Sequence, residues 1–257
     1  MGMEWDVILS LIFFAFTAGA IDAAVGGGGL IQIPGIMSTF PNMSTATVIG
    51  TNKVSSIFGT ASAAYTFAKK VKLQWKLLAV IAICALISSF AGAACLSLIP
   101  QSVLRPFVFV MLIVIAIYTF MKKQFGQLHV DQHITPKLLF FAALGSLAIG
   151  FYDGIFGPGT GTFLIFLLVG LVGYAFIKAS ATAKIVNIAT NFGAIVSFQF
   201  TGHIWWKLGL ALAVANIAGG ITGSHLAING GSKFVRRFFL LVSVLLIAKL
   251  GYDWLHN

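Results

Sequence analysis

Acidic side chains are nearly absent from this chain. Six Asp and Glu stand against sixteen Lys and Arg in 257 residues, and charges of both signs make up only 9%. With 59% hydrophobic residues and a mean hydropathy of +0.99, so little charge excludes an ordinary soluble domain. Cysteine is scarce as well: Cys84 and Cys95 stand eleven apart in one expected helix, about 16 Å at 1.5 Å per residue, too far for a disulfide. No Lys or Arg precedes the first apolar run and no A-x-A site follows it, so a removed signal peptide is not expected. No set of nucleophile, base and orienting group is visible, and neither enzyme activity nor a catalytic residue nor a cofactor is expected.

What the chain does have is long oily sequence. Val7–Ala24, Leu77–Ile99, Val103–Met121, Leu138–Phe156, Leu208–Ala227 and Phe234–Ala248 are of the length, about 17 residues, that crosses ~30 Å of hydrocarbon as helix. The expectation is an all-α polytopic membrane protein whose surroundings are the lipid bilayer. The net charge of +10 sits between the apolar runs and not on one polar face, so it reads as a topology signal and argues against a nucleic-acid partner.

The sequence also repeats itself. A shift of 131 residues pairs Gly19 with Gly150, Asp22 with Asp153, Gly26 with Gly157, Gly28 with Gly159, Lys53 with Lys184, Trp75 with Trp206 and Arg105 with Arg236, without a gap. In a chain with five Trp and six acids, pairing both types at one offset carries weight. The expected organisation is a first repeat over 1–121, a cytoplasmic linker over 122–137 and a second repeat over 138–257. Each repeat holds five apolar pieces, of which the second, Leu30–Phe40 or Phe163–Val172, is too short to span alone. Each repeat is thus expected to hold a Gly-interrupted helical hairpin plus three transmembrane helices.

Charge distribution favours hairpins over one long broken span. With a hairpin in each half the repeats are inverted. Eleven basic residues (Lys69, Lys70, Lys72, Lys76, Lys122, Lys123, Lys137, Lys178, Lys233, Arg236 and Arg237) then share one side, against Arg105, Lys207 and Lys249 on the other. Parallel repeats would divide the charges about nine to five, a weaker fit to the positive-inside rule. Both termini, with Glu4, Asp6 and Asp253, are therefore expected on the periplasmic face. Inverted repeats with interrupted helices are the usual build of secondary transporters, their site lying near the midplane.

The interruptions are Gly26-Gly27-Gly28-Gly29 and Gly157-Pro158-Gly159-Thr160-Gly161. Non-helical backbone at membrane depth needs a polar partner, a cavity or a ligand. Short helices starting at Leu30 and near Thr162, with Pro158 suited to a first turn, would aim free N–H groups and a positive dipole end at the protein centre, a geometry that attracts anions. Close helix packing is the other reading of the glycines. Neither run continues into Gly-Lys-Ser/Thr, which excludes a phosphate loop.

Asp22 and Asp153 lie deep in apolar sequence, where an ionised carboxylate costs ~2.5 kcal/mol or more. Proton coupling, anchoring of the glycine loops and capping of a helix end are all open to them. For Lys53 and Lys184 the open readings are binding substrate, pairing with an Asp of either half, and snorkelling to an interface. Small polar residues surround the lysines, among them Thr51, Asn52, Ser55 and Ser56, and Ser180, Thr182, Asn187, Thr190 and Asn191. Lys184, Asn187 and Asn191 fall on one helix face. Trp75, Trp205 and Trp206 read as interface anchors. His129 and His133 lack the further ligands of a metal site, and none is expected.

"AGAIDAAVGGGGLIQIPGI" with "TNKVSS", and "GFYDGIFGPGTGTF" with "ATAKIVNIATNFG", resemble the TauE/SafE sulfite exporter family, also called the TSUP permeases, over nearly the whole chain. The resemblance implies a multi-pass permease of the bacterial inner membrane for small sulfur-containing or organic anions such as sulfite or sulfonates, driven by an ion gradient. On the residues that match, it points to substrate contacts at Gly26, Gly27, Gly28, Gly29, Asn52, Lys53, Gly157, Gly159, Thr160, Lys184, Asn187 and Asn191, with Asp22 and Asp153 as coupling or structural acids. The expected partner is a small anionic solute, and a homodimer is an assembly open to the chain. The competing expectations are a proton- or cation-coupled carrier built on Asp22 and Asp153, and a non-transporting membrane assembly protein.

Overall fold

A computed structural model describes residues 5–100, 102, 103, 106, 110 and 134–229, among which eight helices are delimited and no strand occurs. In chain order these are α1 (Trp5–Val25), α2 (Gly29–Thr39), α3 (Thr45–Ala68), α4 (Trp75–Ser97), α5 (Pro136–Ile155), α6 (Thr160–Val172), α7 (Phe176–Phe200) and α8 (Trp206–Ile228). The apolar pieces expected over Val103–Met121 and Phe234–Leu250 lie outside the described residues, apart from Val103, Pro106 and Val110. So do most of the linker, His129, His133, Glu4 and Asp253.

Local chemistry sets the boundaries. Ser44 and Thr135 cap α3 and α5 by accepting the N–H of Thr47 and of Leu138, each at 3.2 Å, and Pro136 fills the first turn of α5 where its missing N–H costs nothing. Helices α2 and α6 start slightly earlier than expected, at Gly29 and Thr160. Pro158 is accordingly not in the first turn of α6 but precedes its N-cap, Gly159, because the left-handed Gly159 breaks the chain after the proline. Pro34 stands inside α2 without ending it.

The 131-residue offset governs the geometry. Trp5 and Pro136, Gly29 and Thr160, Thr45 and Phe176, and Trp75 and Trp206 are the paired helix starts. Both short helices fold back along their predecessors. Gly35 of α2 packs on the Phe14 ring of α1 while Gly28 faces Ala18 and Asp22; Gly145 of α5 packs on Leu167 of α6 while Tyr152 meets Phe163, ring centroids 5.4 Å apart. Helix α8 lies along α1 and α3, and α4 lies along α5 and α7, so the packing partners exchange when the halves are exchanged. The start of α3 meets the end of α7, with Gly50 against the His203 carbonyl and the Trp205 N–H donating to Thr51 Oγ1 at 3.0 Å. These two central helices are antiparallel.

Helices α1, α4, α5 and α8 are long and apolar enough to cross a membrane. They carry most of the exposed large apolar side chains, such as Phe13, Ile87, Phe141 and Val214. Helices α3 and α7 are as long but hold the buried lysines and most of the buried Ser, Thr and Asn, and they occupy the centre. Small residues let the backbones touch there, as expected where lipid offers no hydrophobic drive to helix association. Trp75 and Trp206 open their helices at exposed positions, and Trp205, as exposed as Trp206, packs edge-on against Phe40 at 5.2 Å. Cys84 and Cys95 are both free.

A β-carbon on Gly154 would lie 2.1 Å from the Ser89 carbonyl oxygen of α4, and one on Gly170 would meet nothing within 4 Å. Gly154→Ala is therefore expected to destabilise the detergent-solubilised protein by about 1–3 kcal/mol. Gly170→Ala should leave stability unchanged or raise it by about 1 kcal/mol through helix propensity. Thermal unfolding of the two variants side by side checks the packing.

Candidate binding site

Helices α1 and α5 both end at glycines in the left-handed region, Gly26 at φ +85° and Gly157 at φ +92°. An L side chain is strained at such angles, so glycine is the residue that can stop each helix here. The carbonyls released at the breaks find partners. Asp22 O accepts from the N–H of Gly26 at 2.8 Å and from Lys184 Nζ, and Val25 O accepts from Thr162 Oγ1 of the other half. In the second break Tyr152 O accepts from the N–H of Phe156 at 2.9 Å, and Tyr152 OH donates to Pro158 O.

The two elbows touch. A β-carbon on Gly26 would stand 2.3 Å from the Thr162 nitrogen, and Gly29 packs on the Pro158 ring. Neither α2 nor α6 has a side-chain cap at its start, so the first turns of both bring partial positive charge to this crossing.

Around the elbows lie the four isolated charges, paired across the halves. Lys53 Nζ of α3 is 2.6 Å from Asp153 Oδ2 of α5, and Lys184 Nζ of α7 is 3.0 Å from Asp22 Oδ2 of α1. Thr60 Oγ1 of α3 donates to the same Asp22 oxygen at 3.2 Å. Both lysines are fully buried. A single buried charge left unpaired costs several kcal/mol, so opposite-half pairing is what makes these residues tolerable at this depth. Neither lysine snorkels.

A polar cavity of about 20 Å³ opens between the elbows and the ion pairs, room for a single water. Of the residues expected in a site, Asp22, Gly26, Gly29, Asn52, Lys53, Asp153, Gly157, Gly159, Asn187 and Asn191 line it, joined by Ser56 and Gly161. Lys184 lies behind Asp22. Gly28 packs on Ala18 and Asp22, and Thr160 Oγ1 is turned back on Gly157 O at 2.7 Å. Thr51 and Thr190 serve internal hydrogen bonds, to the Trp205 N–H and to Asn187 respectively. Asn52 Oδ1 is buried with no partner among the described residues. Among those residues, too, no group of three His, Cys, Asp or Glu side chains is placed to hold a metal ion.

Sequence reasoning missed three supports of the site: Thr60, Tyr152 and Thr162. The repeat offset held the signal for one of them, since Thr60 falls 131 residues before Asn191. Tyr152 and Thr162 have Ile21 and Ile31 as counterparts, so the repeat gives no hint of their roles.

A family model described as "Sulfite exporter TauE/SafE" matches residues 11–250. A probable membrane transporter protein, ORF9, of Sinorhizobium sp is 36% identical over 99% of this chain and 96% of its own length. The probable membrane transporter protein YfcA of Escherichia coli (strain K12) is 32% identical over 98% and 92% of the respective chains, and a probable membrane transporter protein of Haemophilus influenzae is 31% identical over the full length of both. No solved structure matches.

The Thr162 hydroxyl satisfies a carbonyl that the α1 break exposes in the other half. Thr162→Val, equal in shape but without the donor, is expected to lower stability by about 1–3 kcal/mol, and Thr162→Ser to retain most of it. Unfolding measured for both variants in the same detergent checks this.

Proposed function

The chain belongs to the sulfite exporter TauE/SafE family, and on that premise we propose that it is a secondary transporter of small sulfur-containing or organic anions, such as sulfite or sulfonates, in a bacterial inner membrane. The observation that carries this reading is the convergence at one central cavity of two uncapped helix starts, a buried lysine in its wall and a ring of Asn and Ser side chains. Helix N-termini and buried ammonium groups favour an oxyanion, and the amides and hydroxyl offer it hydrogen bonds.

The transport cycle follows from the same geometry. The halves 1–121 and 138–257 act as inverted repeats, a reading supported by the antiparallel α3 and α7, the two fold-back hairpins and the exchanged packing partners. Charge supports it too. The antiparallel arrangement puts Lys69, Lys70, Lys72 and Lys76, after α3, at the same end as Lys137 and Lys178, near the starts of α5 and α7, and Lys207 at the other. The lysine-rich end is cytoplasmic by the positive-inside rule, and the termini are periplasmic. A cavity with room for one water cannot hold a sulfonate, so this conformation is closed, and loading requires the halves to part as one rocks against the other.

Vesicles containing the protein are expected to take up sulfite or sulfoacetate in preference to taurine and simple carboxylates. Loss of one charge-assisted contact, about 1.5–3 kcal/mol, should weaken Lys53→Ala about 10- to 100-fold in apparent affinity. Uptake of the labelled panel by wild type and variant measures both; equal uptake by the two would remove the anion from this cavity.

A further inference from the structure

The 131-residue repeat makes the two lysine–aspartate pairs equivalent, and the structure does not. Lys53 and Asp153 both line the cavity. The Lys53 ammonium lies against the second elbow, 2.8 Å from where a Gly157 β-carbon would stand, and close to the uncapped start of α6. Asp153 is its one ion-pair partner among the described residues. Lys184 is walled off from the cavity. It donates to both the side chain and the backbone carbonyl of Asp22, at the C-terminal end of α1, where the helix dipole favours a fixed cation. Asp22 is further held by Thr60.

We propose that Lys53–Asp153 is the pair an anion opens, the anion taking Lys53 while Asp153 takes a proton, and that Lys184–Asp22 is a permanent clasp between the halves. The inference rests on the anion-transport reading and assigns its anchor and its proton site.

Charge arithmetic and burial lead there. Two lysines and two aspartates leave the empty site neutral, so an entering anion adds net negative charge in a space nearly free of water. When the loaded site closes again, an Asp153 carboxylate displaced from Lys53 has no solvent to turn to, its side chain being 2% exposed in the closed conformation, so it takes up a proton before closure. Asp22 is 17% exposed and keeps Lys184 and Thr60 as partners. The proton comes from water on the side to which the site is open and forms an O–H bond on Asp153; one proton thus enters with each anion, and both leave when the pair re-forms. The charged groups that face Asp153 are Lys53 from α3 and, across the cavity, Asp22 from α1 backed by Lys184 from α7; Tyr152 neighbours it on α5, and α4 and α6 bring no charged side chain against it.

The test uses the full chain in proteoliposomes with the membrane potential clamped and sulfoacetate as probe, because its sulfonate does not titrate near neutral pH. Wild type should change its accumulation of probe about tenfold per unit of imposed pH difference, acid on the loading side driving uptake. Whatever rate each variant retains, the accumulation reached by Asp153→Asn should lose that response and the accumulation reached by Asp22→Asn should keep it. A wild-type pH response in Asp153→Asn, or its loss in Asp22→Asn alone, overturns the assignment. A second arm needs no solute: in detergent, Lys184→Met should lower the melting temperature more than Lys53→Met, and the reverse order overturns the clasp. If wild type carries neither sulfoacetate nor sulfite, the anion class proposed above fails, and the melting order still judges the division of roles.

Discussion

Two ammonium–carboxylate contacts, each joining one half of the chain to the other, are the constraint on which the remaining structure depends. A lysine or an aspartate alone at this depth would have to shed its charge or drag water after it. Paired across the halves, each is tolerated where the helices pack most closely. This pairing explains why α3 and α7 occupy the centre although they are the least apolar of the long helices. Their polar faces turn toward one another and toward the elbows, and α1, α4, α5 and α8 shield them from lipid.

The elbows solve the complementary problem of backbone. Breaking a helix inside a membrane releases carbonyls at the end of one segment and N–H groups at the start of the next. Here the carbonyls are taken up by Thr162, Lys184 and Tyr152, while the starts of α2 and α6 keep no side-chain cap. Side chains satisfy the carbonyls, whereas the first turns of α2 and α6 are closed by backbone, the N–H groups of Leu30, Ile31 and Thr160 donating to the carbonyls of Gly27, Gly28 and Gly157. Glycine matters at this place for two separate reasons, the left-handed turn at Gly26 and Gly157 and the direct backbone contact of Gly26 with Gly161 and Thr162.

Much of this was legible in the sequence. The offset read from paired Trp, Asp and Gly residues is the offset of the helix starts, and the shortness of Leu30–Phe40 and Phe163–Val172 anticipated segments that fold back. Ten of the residues singled out by composition and motif line one cavity, because a rare polar residue in an oily chain has few places to go. Pairing was not legible. Nothing in a one-dimensional repeat tells whether Lys53 meets Asp22 or Asp153, since both choices satisfy charge and only the crossing of α3 with the opposite half decides. Nor could the sequence tell that the halves close so tightly that the gap has room for a single water, or that Tyr152 and Thr162, whose counterparts are isoleucines, hold the breaks. Those features depend on side chains meeting across distances that periodicity does not encode.

The central claim, that charge binds half to half, is tested most directly by a double-mutant cycle on Lys184 and Asp22. With stability measured for Lys184→Met, Asp22→Leu and the combined variant, each single change should cost about 3–5 kcal/mol by stranding a buried charge, and the combination should cost less than their sum by a large part of that amount. Costs that simply add, with no coupling between the two positions, would contradict the account.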